Sequence, residues 1–173
     1  MKKIVFTLIG VTALLAGCGK SLEKDVVGKW AYEMNMPMDD NESSGQATIK
    51  CVSEFFPNKS VNHDCELKVT LNLKEGNTKI EMDAQAKATG DWSVTDKTLF
   101  DKTIDGKVEL TKLRVDGEEI SDKKVLEDTK KEIQNPFMKG ETTSSITTFF
   151  DGKKWVFDQE IEKKKVSITA VRK

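Results

Sequence analysis

Between Cys65 and Ala88 the chain alternates apolar and polar side chains. Cys65, Leu67, Val69, Leu71 and Leu73 alternate with Glu66, Lys68, Thr70, Asn72 and Lys74. Ile80, Met82, Ala84, Ala86 and Ala88 then alternate with Glu81, Asp83, Gln85 and Lys87. A period of two means half-buried antiparallel strands. Gly76-Asn77 predicts a two-residue hairpin loop that pairs Leu73 with Ile80, Leu71 with Met82, Val69 with Ala84 and Leu67 with Ala86. A one-residue slip would turn each inward side chain to solvent. Upstream, Pro57-Asn58-Lys59 is a turn signal. A hairpin centred on Asn58 pairs Phe55 with Val61, Ser53 with His63 and Cys51 with Cys65.

The remaining pattern is also mostly β. Gly28 to Tyr32 predicts a first strand. Gly90 to Phe100 reads as two short strands joined at Thr95-Asp96-Lys97. Asp105-Gly106 is a turn leading into a strand from Val108 to Val115. Asp151-Gly152 predicts a hairpin pairing Ile146 with Phe157 and Thr148 with Trp155. Val166 to Ala170 is a last alternating strand. One helix interrupts the series near 121–135, with Ser121 as its cap, Ile120 and Val125 as a hydrophobic staple, and Pro136 beyond its end. About eight to ten strands, each with one apolar face, must hide that face. The expected fold is a single all-β antiparallel up-and-down barrel, with a β-sandwich as the alternative.

The first twenty residues change the picture from fold to compartment. Lys2-Lys3 precedes an apolar run from Ile4 to Ala16, which is too short for a membrane span and suits a secretory signal. Leu15-Ala16-Gly17-Cys18 follows. This tetrapeptide resembles the lipobox of bacterial lipoproteins. The resemblance implies a signal peptide over 1–17, a diacylglyceryl group on the Cys18 thiol, and acylation of the new amine by a fatty acid such as palmitate. Gly19 in place of Asp favours the outer membrane by the same resemblance, with the chain facing the periplasm. Residues 18–24 form a lipidated tether and 25–173 the β domain. Cys51 and Cys65 then remain as an even pair in an oxidising compartment and predict one disulfide.

Asp25-Val26-Val27-Gly28-Lys29-Trp30 resembles the G-x-W opening of lipocalin-like barrels. Gly90-Asp91-Trp92-Ser93-Val94, followed by Thr98-Leu99-Phe100, resembles a later segment of bacterial lipocalin-like domains. The resemblance implies a lipocalin-like barrel whose first-strand Trp, here Trp30, closes one end beneath a late Arg, here Arg172, in a cation–π contact. It also implies a small apolar ligand in the barrel. Leu67, Val69, Met82, Ala84, Ala86, Trp155 and Phe157 are the candidate lining. The small side chains of Ala84, Ala86 and Ala88 either face bulky partners or leave room for that ligand.

Charge and chemistry exclude more than they add. With 28 Lys+Arg against 29 Asp+Glu there is no basic excess for nucleic acid. His63 is the single histidine, Asp64 beside it points to the opposite strand face, and no G-x-S-x-G occurs. The expectation is therefore no enzyme, no cofactor and no catalytic residue, with His63 and Ser53 a polar cross-strand pair. Met34-Asn35-Met36-Pro37-Met38 places three thioethers in what reads as a loop at a barrel mouth. Such thioethers suit Cu(I) as a lesser alternative, though no His or Cys lies within the run. The second functional reading is a membrane-anchored protein with a packed core. It would act on an envelope protein partner as an inhibitor, sensor or assembly factor.

Overall fold

A computed structural model describes residues 22–39, 41–134, 140, 142–161 and 164–173. The lipobox and Cys18 lie outside these residues. Helix α1 (Leu22–Val26) precedes strands β1 (Gly28–Asp39), β2 (Ser43–Phe55), β3 (Ser60–Leu73), β4 (Lys79–Thr95), β5 (Thr98–Val115) and β6 (Glu118–Glu119). Helix α2 (Lys123–Gln134) then leads to β7 (Thr142–Phe150), β8 (Lys154–Ile161) and β9 (Lys164–Arg172). Eight strands close an antiparallel barrel, lipocalin-like in architecture, in the order β1-β2-β3-β4-β5-β7-β8-β9 and back to β1. The two-residue β6 adds only to the end of β5. Closure in one sheet excludes the β-sandwich.

The hairpin around Asn58 has the expected register, with Phe55 opposite Val61, Ser53 opposite His63 and Cys51 opposite Cys65. The Cys51–Cys65 disulfide is present between adjacent strands. The β3–β4 register differs from expectation by two residues. Leu71 faces Ile80, Val69 faces Met82, Leu67 faces Ala84 and Cys65 faces Ala86. The connecting loop is longer than Gly76-Asn77, because the Leu73 N–H donates to the Thr78 carbonyl. An even slip leaves every inward residue inward, so alternation alone does not distinguish the two registers.

Other departures have local causes. Gly90–Phe100 is not a pair of short strands: β4 runs unbroken to Thr95 and turns through Asp96, at φ 55°, into β5. Asp105-Gly106 is not a turn. It lies within β5, which absorbs an extra residue near Ile104 and another near Thr111. Such bulges increase twist and let one long strand follow a curved wall. In β7–β8 a bulge near Thr148 moves the register, so Thr147 rather than Ile146 faces Phe157, and Phe150 rather than Thr148 faces Trp155. The cap of α2 is Asp122, not Ser121. Its carboxylate accepts from the N–H groups of Lys124 and Val125 at 2.8 and 3.1 Å. Val125, expected in a staple with Ile120, is instead exposed. Leu22–Lys24, expected in the tether, belong to α1.

The barrel closes unevenly. β1 pairs with β9 only from Trp30 to Tyr32, and β5 pairs with β7 only from Thr98 to Lys102. Beyond those points β1–β5 continue as a curved sheet with long strands. Met34–Met38 therefore lies in β1 rather than in a loop, paired to β2 from Ile49 to Gly45. Pro37 is tolerated because β9 asks no hydrogen bond of this stretch. α2 packs against β5, and its Ile133 reaches the interior side chains of the wide end.

Candidate functional site: the barrel interior

The interior has three levels. The floor is aromatic. Trp30 is fully buried, its ring centroid 5.4 Å from Phe150 and 5.6 Å from Trp155. Phe55 stands edge-on to Trp92 and Trp155, and Phe157 packs on Trp155 at 4.6 Å. Each indole N–H finds an acceptor, with Trp30 donating to the Val26 carbonyl, Trp92 to that of Phe56 and Trp155 to the Thr147 hydroxyl. Arg172 lies 4.6 Å over the Trp30 ring. Its guanidinium donates to the carbonyls of Asp25, Val27 and Gly152 and so ties α1, the start of β1 and the β7–β8 turn together. Gly28 is essential to this arrangement. Its φ of +127° suits glycine alone, and a Cβ there would sit 2.9 Å from Arg172 Nη1.

Above the floor lies a polar level that the sequence reading only half anticipated. Ser53 Oγ is 2.8 Å from His63 Nδ1, and His63 Nε2 is 2.9 Å from an Asp101 carboxylate oxygen. A carboxylate only accepts, so Nε2 donates to Asp101, and a second hydrogen bond joins Nδ1 to the Ser53 hydroxyl. Tyr32 hydrogen-bonds Ser53 from the next strand. Burial raises the Tyr32 hydroxyl above its ordinary value, the Ser53 contact lowers it, and the Asp101 charge raises it again. Across the interior Gln159 donates to Ser145 at 2.7 Å. Gly90 makes room for the carboxylate: a Cβ there would lie 3.2 Å from Asp101 Oδ1 and 2.5 Å from the Lys102 carbonyl.

Asp101 is the residue that sequence reasoning missed. Its signal was its place two residues after Leu99 on one strand, which puts both on the inner face. Asp64, by contrast, points outward and lies 3.9 Å from Lys87. The order Ser–His–Asp matches that of a hydrolase relay, but the site differs in what surrounds it. Ser53 is only 1% exposed, and the space among these groups is about 30 Å³. That volume suits about one water and no substrate.

The third level is the wide end. Cys51, Cys65, Leu67, Ala84, Ala86 and Val108 form its buried base, with Ile49, Leu110 and Ile133 packed against them. Higher up, the inward Val69, Leu71, Ile80 and Met82 are only half-buried. The candidate lining is therefore divided. Leu67, Val69, Met82, Ala84 and Ala86 share the wide end, whereas Trp155 and Phe157 belong to the packed floor and do not line the same space. Ala88, on the same strand as Ala84 and Ala86, is also buried.

No metal-binding cluster of His, Cys, Asp or Glu is present among the described residues. The three Met of β1 are fixed on a strand, and Met34 packs on the aromatic floor. An open depression of about 1020 Å³ also lies on the outer wall of β9-β1-β2-β3-β4. Its rim charges are largely paired, as Lys29–Glu54 and Lys50–Glu33. The sequence matches no protein-family model and no curated protein.

Proposed function

We propose that this protein is a lipoprotein of the bacterial cell envelope, anchored through Cys18 in the outer membrane and facing the periplasm. In this reading its barrel takes a small apolar ligand at the wide end and performs no catalysis. One observation carries the ligand reading: the gradient of packing along the interior. Inward apolar residues are sealed at the floor, where Trp30 and Ala170 have no exposed surface, but half-buried from Val69 to Ile80 at the wide end. Leaving inward apolar surface half-covered has a cost in water that a ligand removes. α2 crosses toward this end and supplies Ile133 to its base.

The test is native mass spectrometry of the mature protein purified from membranes. A copurifying lipid or metabolite that Val69→Asp and Met82→Asp abolish supports the reading. A clean apo mass, together with no binding of the apolar fluorophore N-phenylnaphthylamine, contradicts it. The second reading, a protein that acts on an envelope partner with its core filled, is favoured by the small space, about 30 Å³, among Ser53, His63 and Asp101. The same apo result would select it.

A further inference from the structure

Three large apolar side chains stand exposed on one outer flank of the barrel. Phe100 of β5 is 37% exposed, and Ile146 and Phe149 of β7 are 54% and 48% exposed. They are neighbours in the sheet. Ile146 faces Thr98, two residues from Phe100, and Phe149 faces the outward Val156 of β8. Nothing about the fold requires these positions to be apolar, since the interior is built from the alternate residues Leu99, Ser145 and Thr147. Lys97 and Lys102 border the patch on β5 and its turn, and Lys153 and Lys154 border it on the β7–β8 turn.

The patch lies toward the closed end, and so does the start of the described chain. Arg172 donates both to Gly152 in the β7–β8 turn and to Asp25 in α1. One guanidinium thus holds the turn after Phe149 beside the helix that begins at Leu22. Cys18 precedes Leu22 by four residues, which span at most about 14 Å. An acyl chain on Cys18 would therefore enter the bilayer close to this end of the barrel.

The geometry points to a membrane-docking face: Phe100, Ile146 and Phe149 seat in the bilayer interface, and the bordering lysines meet anionic headgroups. The inference rests on the lipid anchor at Cys18 proposed above. Apolar side chains flanked by lysines, with the one adjoining carboxylate, Asp158, paired to Lys165 at 2.8 Å, match the two faces of a lipid interface. An exposed cluster of this kind on a folded barrel marks a contact surface. Docking on this flank sets the barrel's closed end against the membrane and leaves the wide end and α2 directed away from it.

The experiment uses acylated mature protein in vesicles of phosphatidylethanolamine and phosphatidylglycerol, with and without bromine on the acyl chains. Phe149→Trp and Val125→Trp are compared. Val125 is also exposed but lies on α2 at the other end. The three native Trp are all buried and give a common background. Brominated lipid is expected to remove most of the added emission of Phe149→Trp and little of that of Val125→Trp. Equal quenching of the two, or none of either, overturns the docking face while leaving the anchor intact. An intact mass lacking acyl chains on Cys18 overturns the anchor and the docking face with it.

Discussion

The two ends of the barrel are built from the same strands and differ in how they are closed. At the floor, β9 returns to β1, and Trp30, Trp155, Phe157 and Ile168 are sealed beneath Arg172. At the wide end, the sheet of β1–β5 continues past its partners, and its inner face carries small or half-buried side chains. Strand length accounts for much of this. β4 and β5 have 17 and 18 residues, whereas β8 and β9 have eight and nine. The short strands can line only part of a wall that the long ones build. Stability is thereby concentrated at one end and apolar surface is left at the other.

That contrast is broken most severely at the floor. Trp30→Ala removes a fully buried indole, its hydrogen bond to Val26 and the surface under Arg172. It should cost about 3–5 kcal/mol, read as a fall in the urea midpoint. Replacing Cys51 and Cys65 by Ser opens a loop whose ends are 14 residues apart. The loss expected from chain entropy is about 3 kcal/mol, again from urea unfolding. In the polar level, Asp101→Ala leaves the half-buried His63 N–H without its acceptor. The cost should be about 1–3 kcal/mol, while Asp64→Ala on the outer face should be near neutral. A fluorophosphonate probe should leave Ser53 unlabelled, because its hydroxyl is enclosed; labelling would show that the relay is reached from solvent. At the wide end, Val69→Ala and Met82→Ala should each cost less than about 1.5 kcal/mol, since they forfeit only partial burial. They should still weaken retention of an apolar ligand.

The smallest effect is a pH dependence. Tyr32 keeps its proton longer when folded than when unfolded, mainly because it is buried. Its contribution to stability is complete below the ordinary tyrosine pKa, near 10, and is lost as pH rises above it. Tyr32→Phe should therefore flatten the alkaline decline in stability. An unchanged decline would mean that Tyr32 does not titrate in the unfolding transition.

These contrasts also explain how much of the molecule was legible in its sequence. The Cys51–Cys65 register was readable because a tight turn at Asn58 and a pair of cysteines specify it twice. The β3–β4 register was not, because apolar alternation repeats every two residues and the loop carries no such second constraint. Bulges near Ile104 and Thr148 have no strong local signature. They arise from the need to bend β5 and β7 around the barrel, and each shifted an expected pairing or turn. Met34–Met38 read as a loop because Pro37 is a poor interior strand residue, yet the uneven closure leaves that stretch on an edge. The Trp30–Arg172 contact was suggested by resemblance. The partnership of His63 with Asp101 depends on two strands far apart in sequence, and only the inward parity of both residues hinted at it. The alanine stripe left open whether Ala84, Ala86 and Ala88 are packed or leave room for a ligand; all three are buried, and the division of the expected lining from Trp155 and Phe157 follows from where the barrel closes.

Amide hydrogen exchange of the mature protein, with and without N-phenylnaphthylamine, tests the difference between the two ends most directly. In the free protein, amides around Trp30, Ser53 and Phe157 should be the slowest, and those of Met34–Asp39 and Leu67–Leu73 should exchange faster. The probe should slow exchange in the latter segments and leave the floor unchanged. Uniform protection along the barrel without the probe, and no change at the wide end with it, would contradict the account.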